Sequence, residues 1–177
     1  KPRTNTSSSF SGITTLRDGQ IAVAWLDGNL IGSDQPGRPV MFARTYAGKG
    51  FSEPLLIDSL ACECCRISLA AGPSGQIIIA YRDLLPGNTR DISLSISSNG
   101  GASFAASPDF SGANWQIDGC PHAGPRLSVS NGKIFTTWYT GGSSPGIYYA
   151  STDMQGKLLE KQKVNPDARF ADITVTG

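Results

Sequence analysis

The chain contains 177 residues, enough for one domain with a sizeable core and too few for two large domains. Its 21 glycines and 11 prolines, with only 16% charged residues, favour short strands and many turns over amphipathic helices. A net charge of +1 with scattered basic residues argues against a nucleic-acid partner, and no apolar run approaches the ~20 residues of a transmembrane helix.

In chain order, a hairpin pattern recurs three times. An apolar strand, a tight turn that ends in glycine, and a second strand that ends in an aromatic residue occupy residues 13–27, 67–83 and 127–140. The turn glycines lie 56 and 57 residues apart, and they are Gly19, Gly75 and Gly132. The aromatics repeat with the same two spacings, and they are Trp25, Tyr81 and Trp138. Because glycine accepts the positive φ of hairpin turns, each segment is predicted to be a β-hairpin.

Two more strands are predicted after each hairpin. Third strands are expected at residues 40–45, 92–97 and 147–151, and fourth strands at 54–57, 115–117 and 159–164. Four antiparallel strands at this period predict an all-β fold, a β-propeller. Its three blades are expected at about residues 7–60, 61–119 and 120–166, with the first strand of a fourth at 167–177. A β-sandwich with accidental regularity is the alternative.

Three blades do not close a ring. A blade buries both faces only between neighbouring blades, and closed propellers contain at least four. We therefore expect the sequence to be part of a longer chain, most simply half of a six-bladed ring, or to close the ring by self-association. The four cysteines and the Gly/Ser/Thr-rich composition lead us to expect an exported protein, secreted or periplasmic.

One turn carries a motif. Residues 97–104 read Ser-Ser-Asn-Gly-Gly-Ala-Ser-Phe and follow the third strand of the second repeat. This segment resembles the Asp-box, Ser-x-Asp-x-Gly-x-Thr-Trp, of sialidase-like (BNR-repeat) β-propellers. The third repeat keeps only Ser151-Thr152-Asp153, and the first only Gly48 and Phe51. We expect the box residues to hold the turn and take no part in catalysis, and they are Ser97, Asn99, Gly101, Ser103 and Phe104.

The resemblance also implies where a sialidase would place its chemistry. Such enzymes use three arginines to clamp a carboxylate, a Tyr–Glu nucleophile pair and an Asp acid/base. Their first arginine stands in an Arg-Ile-Pro signature, of which Arg66-Ile67-Ser68 matches only the first two residues. Gly124-Pro125-Arg126, at the start of the third repeat, also lacks the proline in its place. No Tyr–Glu pair can be identified from the sequence, so no catalytic residue is assigned.

All four cysteines and the only histidine fall in two short segments. Cys62, Cys64 and Cys65 come just before the inner strand of the second repeat, and Cys120 and His122 just before that of the third. In a propeller, such connections lie side by side on one face, around the central channel. The two segments are therefore expected to meet in space.

Three chemistries fit these cysteines. Disulfides are favoured, and a bond from the first segment to Cys120 would constrain the unfolded chain by about 4 kcal/mol. A thiolate–imidazole site for zinc or copper is the second hypothesis, if the cysteines are reduced; otherwise no cofactor is expected. The third is a redox-active dithiol at Cys62 and Cys65, although no helix N-terminus is present to lower a thiol pKa.

The same face is predicted to carry a ligand site. Its candidate residues are Arg66, Arg126, Arg82, Asp83, Asp27 and Trp115. Paired guanidinium groups beside an aromatic ring suit a carboxylate or a sugar, and inter-blade ion pairs are the alternative. Two functions stay open. The first is a non-catalytic exported propeller that binds a glycan or a protein, or is structural. The second is a fragment of a sialidase-like glycoside hydrolase or of a Cys/His-ligated metal enzyme.

Overall fold

The computed structural model describes residues 9–28, 37–107 and 109–175, which form three antiparallel sheets in chain order. The first sheet contains β1 (Ser9–Thr15), β2 (Ile21–Leu26), β3 (Arg38–Tyr46), the two-residue β4 (Gly50–Phe51) and β5 (Leu55–Ala61). Both β4 and β5 pair with β3, and β5 is the outer strand.

The second and third sheets each contain four strands. The second comprises β6 (Ser68–Ala71), β7 (Ile77–Arg82), β8 (Ile92–Ser97) and β9 (Ala105–Ser107). The third comprises β10 (Arg126–Ser130), β11 (Lys133–Thr140), β12 (Gly146–Asp153) and β13 (Leu158–Asn165). A 3₁₀ turn at Pro86–Asn88 follows β7, and no helix in the described ranges is long and apolar enough to cross a membrane.

Each of the three predicted hairpins is present. β1 pairs with β2, β6 with β7 and β10 with β11, all antiparallel. The turn glycines have the positive φ that their positions require, with 76° at Gly19, 88° at Gly75 and 69° at Gly132. The repeat therefore marks equivalent turns in successive sheets.

The sheets pack face to face around their inner strands. β6 lies between β1 and β10, and the Leu127 N–H of β10 donates a hydrogen bond of 3.0 Å to the Ser68 hydroxyl of β6. Alternation along β7 sends Ile77 and Ile79 into the core shared with the first sheet and Ile78 into the core shared with the third. These radial sheets are blades of a β-propeller, which confirms the predicted fold and excludes a sandwich.

The predicted fourth strand of the second blade is wrong. The outer strand is β9 at Ala105–Ser107, which pairs with β8, whereas residues 115–117 belong to the connection that leads towards β10. The cause is the buried Asp91 carboxylate, which accepts backbone N–H bonds from residues 113–115. Those donors are consequently engaged by a side chain and not by a neighbouring strand.

The expected start of a fourth blade follows β13. Residues 167–175 run beside β10, where the Val175 N–H bonds the Ser128 hydroxyl at 3.2 Å and Asp172 lies 3.6 Å from Arg126. None of these described residues belongs to a strand. Residues 7–8, 29–36, 108 and 176–177 of the predicted blades lie outside the described residues, and the blade boundaries stay a prediction.

The Asp-box-like turn is held by its own short side chains. The Ser97 hydroxyl accepts the Gly101 N–H at 2.8 Å, and the Asn99 side-chain oxygen accepts the Ser103 N–H at 3.0 Å. Phe104 packs edge-on against Phe42 of the first blade, with ring centres 5.0 Å apart. In the third blade, Asp153 accepts N–H bonds of 2.9 Å from Gln155 and Lys157, so the same type of turn recurs with an aspartate.

A buried arginine joins the second blade to the third. Arg82 is 1% exposed, and its guanidinium donates to the Ala123 carbonyl at 2.6 and 3.0 Å and to the Tyr139 carbonyl at 2.7 Å. It also donates to the Arg90 carbonyl and lies 4.9 Å from the centre of the Trp115 ring. The planar fork of arginine suits such multiple acceptors.

We expect Arg82→Leu to reduce the free energy of unfolding by about 3–5 kcal/mol, because three buried carbonyls lose their donor. Arg17→Leu is the matched control, since the exposed Arg17 also bonds a carbonyl of another blade, that of Pro73 at 2.6 Å. The control should change stability by no more than about 0.5 kcal/mol. Denaturation curves in guanidinium chloride measure the free energy of unfolding of both variants, and equal losses of stability would contradict the role of Arg82.

Candidate functional site

Five sulfur- and nitrogen-bearing side chains meet where the loop before β6 touches the loop before β10. The Cys62 sulfur lies 3.6 Å from the Cys64 sulfur and 3.4 Å from that of Cys65. Cys64 also belongs to a second group with Cys120 and His122, whose ligand atoms all lie within 4.8 Å of one another. Cys64 therefore joins the two loops, and we call these five residues the cysteine–histidine cluster.

Local backbone features bring the loops together. A Cβ atom at Gly124 would stand 2.1 Å from the Arg66 carbonyl oxygen, so only glycine allows this close approach. His122 has a φ of 52°, a left-handed conformation that few non-glycine residues adopt. In the loop before β6, the Cys65 N–H donates a hydrogen bond of 3.3 Å to the Cys62 carbonyl. The resulting turn brings three cysteines close together.

All four cysteines are free in this structure, and the disulfide hypothesis stays a prediction. Cys62, Cys64 and Cys65 are buried, while Cys120 is exposed. The Cys62 sulfur faces two others at similar distances, and Cys64 also faces Cys120 and His122. The sulfur atoms thus share one cluster and are not divided into pairs.

The electrostatic environment favours negative charge on part of the cluster. A hydrogen bond with Cys65 lowers the pKa of the Cys62 thiol, and Arg90 contributes through its Nη1, which donates to the Cys62 sulfur at 3.2 Å. A hydrogen bond with Cys65 is also the main cause that lowers the pKa of the Cys64 thiol. The pKa of Cys65 is raised by its hydrogen bonds with Cys62 and Cys64, so the proton is held there.

A pocket of about 450 Å³ opens over the cluster. Cys64, His122, Arg66 and Arg126 contribute to its wall. Two of the predicted ligand-binding arginines therefore do lie beside the cysteines, on the face where the sequence placed them.

The other predicted face residues are buried, which corrects their expected exposure. Arg82 is engaged by backbone carbonyls, and Trp115, 8% exposed, packs under its guanidinium. Asp27 is 7% exposed and accepts a hydrogen bond of 3.2 Å from the Trp25 indole. Arg82 and Trp115 are thus part of the junction between the second and third blades and do not line an open mouth.

A larger pocket of about 820 Å³ lies between the first and second blades, and Arg90, which contacts the Cys62 sulfur, forms part of its wall. We call it the acidic pocket, and its wall includes the charged and amide residues Asp58, Asp83, Asn88, Arg90 and Asp118. Only Asp83 was singled out from the sequence. The others carry no motif: they stand in an outer strand and in two loops, and only blade packing brings them together.

Asp83 has an unusual environment within this pocket. Its carboxylate accepts hydrogen bonds from the Ser93 hydroxyl at 2.6 Å and from the Leu84 N–H at 2.8 Å. Burial raises the pKa of Asp83 to about 6, and the neighbouring Asp58 and Asp109 carboxylates act in the same direction. Asp58 in turn accepts a hydrogen bond of 2.8 Å from the Tyr81 hydroxyl.

No protein-family model and no curated protein sequence matches the chain, but several solved structures do. An α-L-arabinanase of Penicillium chrysogenum, complexed with arabinobiose, has a TM-score of 0.56 and 15% identity over 94% of this chain and 51% of its own. A GH43_1 enzyme of Xanthomonas citri, complexed with xylotriose, has a TM-score of 0.58 and 10% identity over 91% and 56%.

An α-L-arabinofuranosidase of Fusarium graminearum, in complex with an iminosugar inhibitor, has a TM-score of 0.59 and 12% identity over 92% and 50%. At such identities the likeness shows the fold alone. The chain spans about half the length of these propellers. None of the three is described as a sialidase, so the resemblance to the sialidase-like superfamily stays a prediction.

We expect Gly124→Ala to separate the two loops of the cluster, because the added methyl group would overlap the Arg66 carbonyl. The free energy of unfolding should fall by about 1–3 kcal/mol, the usual cost of overpacking, and Cys64 should react faster with a thiol reagent. Gly119→Ala is the control in the same loop, where the nearest atom lies at 3.9 Å. Similar labelling rates in both variants would contradict this account.

Proposed function

We propose that this chain forms part of a carbohydrate-binding propeller of the glycoside-hydrolase type, with the acidic pocket as its saccharide site. One observation carries the proposal: three carboxyl groups, an amide and a guanidinium converge on one cavity of about 820 Å³. Such groups bond sugar hydroxyls, and leucine and proline side chains in the same wall offer apolar contact.

Paired carboxyl groups in different environments suit glycosidic bond hydrolysis. That reaction needs one carboxylic acid to protonate the leaving oxygen and a second carboxylate as base or nucleophile. Asp83, with its raised pKa, is the candidate acid, and Asp58 is the candidate partner. The names of the similar solved structures support this substrate class, since all three bind or act on pentose sugars or an iminosugar inhibitor.

A non-catalytic glycan-binding module is the second candidate. The observation in its favour is that Asp83 is only 4% exposed and already accepts two hydrogen bonds. A carboxyl held in this way stabilises the pocket without reaching a glycosidic oxygen. The two candidates share the binding site and differ only in turnover.

Binding and hydrolysis can be measured separately on the full-length protein. Titration calorimetry with arabinobiose and xylotriose should show saccharide binding, and aryl arabinosides and xylosides should report turnover. We expect Asp83→Asn to lower turnover by about 100-fold or more while changing binding by less than about 3-fold. Asp167→Asn, at an exposed position outside the pocket, is the control.

The outcomes separate the candidates. Binding without turnover would favour the non-catalytic module. Absence of binding at millimolar saccharide would contradict the site itself, as would binding that Asp58→Asn and Asp83→Asn together leave unchanged.

The pKa of Asp83 also predicts a pH dependence of stability. Its folded value of about 6 lies above the ordinary 3.8, so between these pH values the folded state holds a proton that the unfolded chain has released. Its contribution to the free energy of unfolding therefore falls as pH rises through this window, by at most about 3 kcal/mol. Unfolding curves at pH 4 and pH 7 should show a smaller fall for Asp83→Asn than for the wild type; equal falls would contradict the raised pKa.

A further inference from the structure

We propose that the cysteine–histidine cluster binds one thiophilic metal ion, Zn²⁺ or Cu⁺. This site is distinct from the acidic pocket, and the proposal does not depend on the proposed carbohydrate function. Thiolate sulfur and imidazole nitrogen are the preferred donors of both ions.

The spacing of the sulfur atoms fits a shared ion. Four sulfurs at the usual zinc distance of about 2.3 Å from a tetrahedral centre lie about 3.8 Å from one another. The observed sulfur distances of 3.4 and 3.6 Å around Cys62 are close to that value. Cys120 and His122 approach Cys64 within 4.8 Å, so small side-chain rotations would bring four of these five potential donors around one ion. Among the described residues, both groups of potential metal ligands contain Cys64.

The surroundings of the cluster suit a thiolate-bound cation. Arg90 donates to the Cys62 sulfur at 3.2 Å, which offsets the excess negative charge that several thiolates bring to one ion. Cys62 and Cys65 are each 1% exposed and would shield the ion from water. Cys120 and His122 are exposed, so the ion has a route of entry on that side.

The backbone is shaped to bring the nitrogen donor to the sulfurs. His122 is left-handed, and Gly124 allows a loop approach that no side chain would permit. Unusual backbone conformations of this kind concentrate at functional sites. Three of the five potential ligands belong to one blade and two to the next, so any four-donor set includes both blades. A bound ion would therefore link adjacent blades, as a disulfide to Cys120 would.

Titration of the fully reduced, metal-free chain tests the site. Zn²⁺ and Cu⁺ are added separately, the latter anaerobically, in competition with chromophoric chelators, and bound metal is counted by elemental analysis. We expect one ion per chain and a higher Tm with the preferred ion. An equimolar mixture followed by dialysis identifies that ion, and retention of either one supports the proposal.

Variants locate the ligands. Cys120→Ser and His122→Ala, at exposed positions, should each weaken binding by about 10–100-fold, and Cys64→Ser by more than about 100-fold. Glu63→Gln is the matched control, because Glu63 lies between two ligands and is outside the cluster; it should change affinity by less than about 3-fold. If Cys64→Ser does not fold, the two exposed variants still decide.

Three outcomes would overturn the proposal. One is a reduced chain that binds neither ion stoichiometrically. Another is wild-type affinity in both Cys120→Ser and His122→Ala. The third is an intact mass, under non-reducing conditions, about four units below that of the reduced chain, which would mean that the cysteines form two disulfides.

Discussion

Hydrophobic packing on both faces of β7 is the interaction on which the other features of this molecule depend. Its isoleucines alternate between the cores shared with the first and third blades, and every residue of the strand is buried. With the second blade fixed on both sides, the connections at its ends must lie against those of its neighbours. The cluster, the acidic pocket and the Arg82 network all occur at these blade junctions.

Two arginines donate hydrogen bonds at the blade junctions. Arg82 bonds carbonyls of the second and third blades, and Arg90, whose carbonyl Arg82 contacts, reaches the Cys62 sulfur and the acidic pocket. Arg90 therefore borders both the metal site and the saccharide site that we propose.

The two outer faces of the three-blade arc carry exposed apolar side chains. Ile13 and Leu56 are exposed on the first blade, and Leu159 and Val164 on β13 of the third. Further blades cover such faces in a closed propeller. The chain spans about half the length of the propellers it matches.

The repeat in the amino-acid sequence was enough to predict a propeller of successive blades and the meeting of the cysteine segments. Both follow from local physics: strand alternation and the positive φ of Gly19, Gly75 and Gly132 are properties of short segments, and their period places equivalent loops together. Which polar groups face solvent, by contrast, depends on how the blades pack against one another. Arg82 turned inward because carbonyls of another blade were its best acceptors, and Asp58 joined Asp83 across a blade junction. Such pairings depend on distances between distant segments, which no local pattern encodes.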